Sequence, residues 1–372
     1  MSVPPVLLLL FNRPDLTHGL VESLRAVAPK HLYIAVDGPR ESVPDDMAKI
    51  EEVLRIAEEE INWPCRKQWL VRTDNLGCGK AVSDAVSWFF QQVEQGIILE
   101  DDCHPDPSFF EFMQVMLDRY SDDSRVAMIS GSSLFPDDVI FNRPYYFSKY
   151  SGIWGWASWR RMWEHYDYAL SGLSAKEWES IVEKNNPNQL EQEYWMHFLH
   201  SMLSGDIDTW DFQIQFANWK TNSLTVTPGR NLVENRGFRP DATHTQTDLS
   251  LGKRKAGSMP GPYPRQPFGQ NQQVDHVTFL QRLFVSPEFA SHLMLKNSKE
   301  VEWLRKCAAS AEASKQLAES KEPLPVLCGE NEAVLEQLDI ARGELKKYYG
   351  FTGALRCLQK IFYRHRRLDK RR

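Results

Sequence analysis

Short apolar runs alternate with segments of helical periodicity along the first ~130 residues. The runs VLLLLF at 6–11 and HLYIAVD at 31–37 are continuous, which is typical of strands buried on both faces of a sheet. Regular alternation of strand and helix predicts an α/β fold with a doubly wound, mostly parallel sheet. The pattern predicts strands at 6–11, 31–37, 68–71, 96–99 and 126–130, and helices at 15–27, 47–61, 81–93 and 108–120.

From about residue 145 this alternation ends and tryptophan becomes frequent. The stretch 251–270 is rich in Gly, Pro, Lys and Arg, a composition that predicts a mobile loop. Beyond it, two helical patterns lie on either side of Pro323 and Pro325. The pattern of this second part predicts helices at 155–166, 190–204, 211–220, 300–318 and 330–347, and a strand at 223–228.

Composition narrows the class of protein. A formal net charge of −6 offers no global electrostatic argument for nucleic-acid binding. Six cysteines without a C-x-x-C pair suit reduced thiols better than a disulfide framework or a zinc site. The N-terminal apolar run is too short for a signal peptide, and no run is long enough to cross a bilayer. These features predict a cytoplasmic protein.

Chemistry-bearing residues follow the carboxyl ends of the predicted strands, where ligands bind in open α/β sheets. They are Asn12-Arg13, Asp37-Gly38, the segment 73–80 and the acidic triplet 100–102. Three adjacent carboxylates repel one another, and a divalent cation such as Mg²⁺ or Mn²⁺, which prefers oxygen ligands, would relieve this repulsion. A solvated turn before a helix is the alternative explanation of the triplet.

Several motifs together resemble the GT-A glycosyltransferases, which share the nucleotide-diphospho-sugar transferase fold. They are LLFNRPD, AVDGPR, TDNLGCGKAVSDAV and ILEDDCHPDPSFFEFM, followed by SGIWGWASWRRMW, TWDFQIQFANW and NLVENRGFRPDATHT. The pattern is most similar to bacterial family 2-like enzymes and, more distantly, to the Golgi N-acetylglucosaminyltransferase that acts on mannose. A Q-x-x-R-W box is missing from the sequence, which disfavours a processive synthase.

The resemblance implies a nucleotide-sugar site. Arg13 would contact the diphosphate or the uracil-side loop, and Asp37 would accept a hydrogen bond from the base. Lys80, with its glycine-flanked NLGCGK loop, would lie along the ribose or the pyrophosphate. Asp102 would be the metal ligand, with Asp101 on the ribose or in the water shell of the metal. Read from the residues alone, the 37–39 segment is also an ordinary turn, and NLGCGK is also a loop that enters a helix.

The resemblance also implies a reaction. Glu100 and His244 would complete the Mn²⁺ or Mg²⁺ site, and Asp211 would be the general base of an inverting transfer to a saccharide hydroxyl. Asp211 is equally well placed for a helix cap, and Asp206 and Asp208 are nearby alternatives for the base. Aromatic faces that would stack on the acceptor sugar are those of Trp154, Trp156 and Trp210.

The interpretation divides the chain into four parts. Residues 1–130 would form the nucleotide-sugar-binding half of a GT-A domain, and 131–290 its acceptor-binding half, with a mobile loop at 246–270. A helical extension, 291–347, would follow. The tail 348–372 combines aromatics and leucines with eight basic residues. It would either rest on the anionic inner face of the cytoplasmic membrane or remain solvated.

The expected function is therefore transfer of a sugar from a nucleotide diphosphate, UDP in the first place, to a saccharide or lipid-linked glycan acceptor in bacterial surface-glycan assembly. A sugar nucleotidyltransferase is one alternative, disfavoured because FNRPD stands where such enzymes carry a glycine-rich loop. A non-catalytic carbohydrate- or partner-binding protein on the same fold is another. As an alternative, the helical extension would pack against a second copy of the chain, and no nucleic-acid partner is expected.

Overall fold

The computed structural model describes residues 3–133, 143–238, 255–272, 274, 275, 278, 279 and 282. The strands are β1 Val6–Leu10, β2 His31–Val36, β3 Arg66–Val71, β4 Gln95–Glu100, β5 Cys103–Pro105, β6 Val126–Ser130, β7 Tyr145–Ser148, β8 Trp156–Trp159, β9 Leu224–Pro228 and β10 Val233–Asn235. The helices are α1 Pro14–Arg25, α2 Asp46–Glu59, α3 Cys78–Gln92, α4 Pro107–Arg119, α5 Arg160–Trp163, α6 Ala175–Asn185, α7 Gln189–Leu203 and α8 Asp211–Lys220.

The predicted α/β fold with a mostly parallel central sheet flanked by helices is confirmed. The large sheet has the order β3-β2-β1-β4-β8-β6-β9-β7. Strands β3, β2, β1 and β4 are mutually parallel, as are β6 and β9. Strand β8 pairs antiparallel with both β4 and β6, so that β6 and β9 run in the same direction as the first four strands.

Alternate residues of β1 enter different cores, because successive side chains of a strand point to opposite faces. Val6, Leu8 and Leu10 belong to a core with α1, α2 and α4. Leu7 and Leu9 belong to a second core with α3 and α8. Burial on both faces explains why β1 has no polar position.

The helix predicted at 155–166 is wrong. Residues Trp156–Trp159 form the central strand β8, and only the single turn Arg160–Trp163 is helical. All four β8 side chains are buried, so the strand lacks the polar and apolar alternation that marks a half-buried strand. Its existence depends on pairing with β4 and β6, which are distant in sequence.

The sequence pattern also missed β7, α6 and a short ribbon. Helix α6 begins with a capping box in which Ser174 and Glu177 bond reciprocally. In the ribbon, β10 pairs antiparallel with β5, with Asn235 opposite Cys103. This pairing places the 231–238 segment beside the acidic triplet. The predicted helices at 300–318 and 330–347, the basic tail, His244 and the first part, 246–254, of the loop predicted at 246–270 lie outside the described residues.

Candidate active site

Arg13 lies in the middle of the acidic triplet. Its Nε donates to Asp101 Oδ2 at 3.0 Å, and its Nη2 donates to Asp101 Oδ1 in a bidentate pair. Its Nη1 lies 3.2 Å from Asp102 Oδ2. Arg13 follows β1 and the acids follow β4, and these two strands are neighbours in the sheet. The expected convergence of strand ends is therefore present at this edge.

Negative charge exceeds positive charge in this cluster. Burial, and then the charge of Asp102, raise the pKa of Glu100 well above its usual value, although Arg13 opposes the shift. Burial likewise raises the pKa of Asp101 to about 6 against the effect of Arg13. A carboxyl with a raised pKa is one whose ionised form is poorly compensated. The cluster thus suits a ligand that brings positive charge.

Asp211 lies at the first position of α8, where the hydroxyl of Thr209 donates to its carboxylate. Its charge is among the causes that raise the pKa of Glu100 and of the Cys78 thiol. Asp211 is therefore within electrostatic reach of the acidic triplet, although more than a hundred residues separate them in the chain. A carboxylate at a helix N-terminus is also favoured by the helix dipole, so a capping contribution accompanies any chemical one.

Asp37 organises the 75–77 loop. Its carboxylate accepts from the backbone N–H of Leu76 at 3.2 Å and from Asn75 Nδ2 at 2.9 Å. Burial raises the pKa of Asp37, and backbone hydrogen bonds from Leu76 and Gly38 oppose the rise. Much of its acceptor capacity is therefore used within the protein, and a hydrogen bond to a base, as predicted, would add to this set.

The N-terminus of α3 is already occupied by a carboxylate. Gly77 and Gly79 flank Cys78 there, and Asp208 Oδ1 accepts from the Gly79 N–H at 3.1 Å. Lys80 is exposed on the same turn. Glycine brings the backbone close to a neighbour at this position, as expected, but in this structure the neighbour is Asp208 instead of a phosphate.

The three candidate tryptophans differ in exposure. Trp156 and Trp210 are 1% and 3% exposed and stack on each other with ring centroids 5.9 Å apart. Their faces belong to the core, because the indoles cover one another. Trp154 is half-buried and meets Phe238 edge to face at 5.4 Å. Of the three, only Trp154 has ring area for the predicted sugar contact.

The carboxylates at this edge fit a cation that would take one or two ligands from the protein and the others from a bound phosphate. Within the described part of the chain, no group of three or more His, Cys, Asp or Glu could hold a metal ion alone. Mg²⁺ and Mn²⁺ at nucleotide sites use one or two carboxylates and take further oxygens from the substrate. Asp102 supplies a partly exposed carboxylate of this kind, and it packs closely on Gly237, where an added Cβ would overlap Asp102 Oδ2 and displace the carboxylate.

Sequence analysis missed the structural role of two groups at this edge. One is Asp208, which was considered only as an alternative base. The other is Asp46, which is fully buried and accepts from Asn12 Nδ2 at 2.6 Å and from Arg40 Nε at 2.6 Å. Asp46 thereby ties the loop after β2 to the end of β1. The Asn-Arg-Pro sequence after β1 was the available signal for Asn12, but its partner lies on another element.

Within the residues that the structure describes, no helix combines the length and apolar character needed to cross a membrane.

Comparison with known proteins gives only distant structural similarity. No protein-family model and no curated protein sequence matches the chain. UDP-glucose pyrophosphorylase complexed with UDP-glucose is 10% identical with a TM-score of 0.34, over 61% of this chain and 90% of that one. HddC from Yersinia pseudotuberculosis is 12% identical with a TM-score of 0.28, over 45% and 85%. A cytidylyltransferase from Leptospira borgpetersenii serovar Hardjo-bovis is 13% identical with a TM-score of 0.27, over 44% of this chain and 63% of that one.

Proposed function

We propose that the protein is a metal-dependent glycosyltransferase that moves a sugar from a nucleotide diphosphate, UDP in the first place, to a saccharide acceptor with inversion at the anomeric carbon. The proposal rests on one observation. The acidic cluster at the carboxyl edge of the parallel strands has more negative than positive charge, and Asp211 lies within electrostatic reach of it. A cation and a diphosphate together fit such a cluster in charge and in ligand chemistry.

On the donor side, Asp102 would hold Mn²⁺ or Mg²⁺, with Glu100 beside it. The cation, when bound, neutralises charge that develops on the departing diphosphate. Arg13 holds Asp101 by two hydrogen bonds. Its guanidinium would add positive charge near the phosphates of a bound donor. Lys80 is exposed near this edge, and a flexible ammonium suits contact with a phosphate.

On the acceptor side, Asp211 would take the proton of the attacking hydroxyl. The acceptor oxygen then forms the new bond to the anomeric carbon while the bond from that carbon to the diphosphate breaks. Trp154 offers a flat apolar face for the acceptor ring. A lipid-linked glycan held near a membrane by the basic tail would extend this proposal, as would His244 as a further metal ligand.

The first experiment is calorimetric titration of UDP into the purified chain with Mn²⁺ and then with EDTA. We expect binding with Mn²⁺ that is lost with EDTA. Removing even an outer-shell partner of a metal typically costs 10–100-fold in affinity, so Asp102→Ala should lose at least about tenfold. Asp118→Ala, which alters an exposed acid on α4, serves as the matched control. Equal UDP binding by all forms, with and without metal, would reduce the triplet to a solvated turn.

The second experiment tests the base. Asp211→Asn keeps the size of the side chain and its acceptor oxygen but cannot take a proton. General-base catalysis contributes typically 10²–10⁴-fold, so UDP release from a UDP-sugar should fall by at least about a hundredfold. Affinity for UDP should stay within about twofold. Unchanged turnover would remove Asp211 from the reaction.

Sugar nucleotidyl transfer is the second candidate, because the same acidic edge would hold a cation and a triphosphate. Products separate the two reactions. A glycosyltransferase releases UDP from a UDP-sugar, whereas a nucleotidyltransferase releases pyrophosphate from UTP and a sugar 1-phosphate. Pyrophosphate release would replace the first proposal with the second.

A further inference from the structure

The segment between α7 and α8 is bonded to the start of α3, although 129 residues separate the partners. Asp208 Oδ1 accepts from the Gly79 N–H at 3.1 Å and from the Tyr168 hydroxyl at 3.1 Å. The α3 N-cap residue, Gly77, has no side chain to cap the helix. Asp208 therefore supplies the cap from a remote part of the chain, at the end of the helix where negative charge is favoured.

The two glycines of NLGCGK make room for this carboxylate. A Cβ on Gly77 would lie 2.7 Å from Asp208 Oδ2. A Cβ on Gly79 would overlap Asp208 Oδ1 and would lie 2.9 Å from the Thr209 carbonyl oxygen. Gly79 is inside a helix, where alanine is ordinarily favoured by about 1 kcal/mol. Close packing against the Asp208 carboxylate, the Tyr168 hydroxyl and the Thr209 carbonyl explains why the smaller residue is present.

A second attachment lies two residues further along. The Tyr166 hydroxyl donates to the Trp210 carbonyl at 3.0 Å and lies 2.8 Å from Ser83 Oγ on α3. The chain that leads into Asp211 is thus held to α3 at Asp208 and again at Trp210. Two attachments on either side of Thr209, whose hydroxyl bonds Asp211, fix the carboxylate of Asp211 relative to α3.

We infer that Asp208 is a positioning residue that holds Asp211 at its working distance from the donor edge. This inference rests on the proposed function for the role of Asp211, but the contact itself does not. Asp208 acts first through its acceptor oxygen, because the Gly79 N–H and the Tyr168 hydroxyl both require an acceptor. Its charge adds a smaller contribution through the helix dipole.

The test compares Asp208→Ala with Asp208→Asn. Both variants remove the charge, and only the alanine variant removes the acceptor for the Gly79 N–H. Asp206→Ala is the matched control, since Asp206 is an exposed neighbour that accepts from Ser204. The thiol of Cys78, between the two glycines, reports opening of the loop through its labelling rate with iodoacetamide, read for that peptide by mass spectrometry.

A lost hydrogen bond to a charged group corresponds to about tenfold or more in an opening equilibrium. We therefore expect Cys78 labelling to rise about tenfold in Asp208→Ala and to stay within about threefold of the wild-type rate in Asp208→Asn and Asp206→Ala. Release of UDP from UDP-glucose or UDP-N-acetylglucosamine should fall about tenfold in kcat for the alanine variant. The asparagine variant should restore most of the rate, and UDP affinity should change less than kcat in both.

Gly79→Ala approaches the same contact from the other side. Its methyl group would push Asp208 away, so Cys78 labelling should rise as in Asp208→Ala while the Asp208 side chain is intact. Equal behaviour of the alanine and asparagine variants would overturn the inference, because charge alone would then explain the effect. Failure of wild-type protein to bind UDP would instead refute the proposed function, and labelling alone would still decide whether Asp208 holds the segment.

Discussion

Two buried charge clusters in this molecule differ in how their charges are balanced. Around Arg13, one guanidinium faces Asp101 and Asp102, with Glu100 beside them. Around Lys149, one ammonium donates to Glu191 Oε2 at 2.8 Å, and Glu191 Oε1 accepts from the Tyr150 hydroxyl at 3.0 Å.

The Lys149–Glu191 pair is satisfied by the protein alone. Lys149 Nζ also donates to the Asn185 carbonyl and to Asn186 Oδ1, both at 3.0 Å, and its side chain is 7% exposed. Such a network fixes the helices it joins. The cluster at Arg13 carries less positive than negative charge, and a bound cation or a cationic ligand would supply the missing positive charge. The contrast teaches that one cation matched to one carboxylate makes a structural pair, whereas one cation among three carboxylates leaves negative charge that a ligand could neutralise.

Breaking the balanced pair should have the largest effect. Lys149→Met leaves the Glu191 carboxylate buried without its cation, and the free energy of unfolding should fall by about 3–5 kcal/mol. Urea denaturation followed by circular dichroism measures this change. The double variant Lys149→Met with Glu191→Leu is the control and should be more stable than the single one, because it removes both charges. The contrast fails if the single variant is as stable as wild type.

A smaller effect is expected at Asp46, whose bonds to Arg40 and Asn12 lower its pKa to about 2. The folded-state pKa lies below the ordinary aspartate value of about 4, so this contribution is present above about pH 4 and is lost as the pH falls toward about 2. It amounts to about 2 kcal/mol. Urea midpoints measured between pH 5 and pH 2.5 should show it. Asp46→Asn should have a shallower pH dependence, and identical slopes would contradict the assignment.

Removing one acid from the cluster at Arg13 should act in the opposite direction. Glu100→Gln relieves repulsion with Asp102, and the free energy of unfolding should rise by about 1 kcal/mol. The same variant should bind UDP with Mn²⁺ more weakly, as a trade between stability and function predicts. Glu191→Gln makes the identical chemical change in the balanced pair and should be destabilising. A loss of stability in Glu100→Gln would show that the two clusters are alike.

The smallest effect belongs to an exposed network. Arg55 pairs with Glu52 and Glu59 along one face of α2, at 2.7 Å to each, with the three side chains 43–62% exposed. Exposed pairs of this kind contribute little, since water solvates the separated charges almost as well. Arg55→Ala should leave the urea midpoint unchanged within error. A clear shift would mean that ion pairing on this surface matters as much as burial.

The first half of the sheet and the convergence of polar residues at its carboxyl edge were predictable from sequence. Strand β1 is uniformly apolar, and the turn residues after it, such as Arg13, mark where it ends. Once strands alternate with helices, parallel pairing follows, and the strand ends must converge. The association of Arg13 with Asp101 and Asp102 follows from that topology, although its bidentate geometry does not.

The remainder depended on contacts between distant segments. Strand β8 has no alternating pattern because both its faces are covered, and the antiparallel partners that define it lie on either side of it in the sheet. In the sequence, Asp208 is one of several acids before a helix, and no local pattern indicates its contact with Gly79. The packing of Trp156 against Trp210 was equally unpredictable, because the frequency of tryptophan does not distinguish a surface that stacks on sugars from a hydrophobic core.

Strand β8 lies in the middle of the sheet but is synthesised after both of the strands that it pairs with. The ribosome synthesises β4 and β6 first, and β8, which lies between them, is complete only after Trp159 has left the ribosome. Until then each of these strands has an edge that lacks its final partner, and open edges invite pairing with other chains. We therefore expect that the first ~130 residues do not fold as an independent unit. Fragments that end before β8 should aggregate, and fragments that extend through β9, to Pro228, should recover solubility.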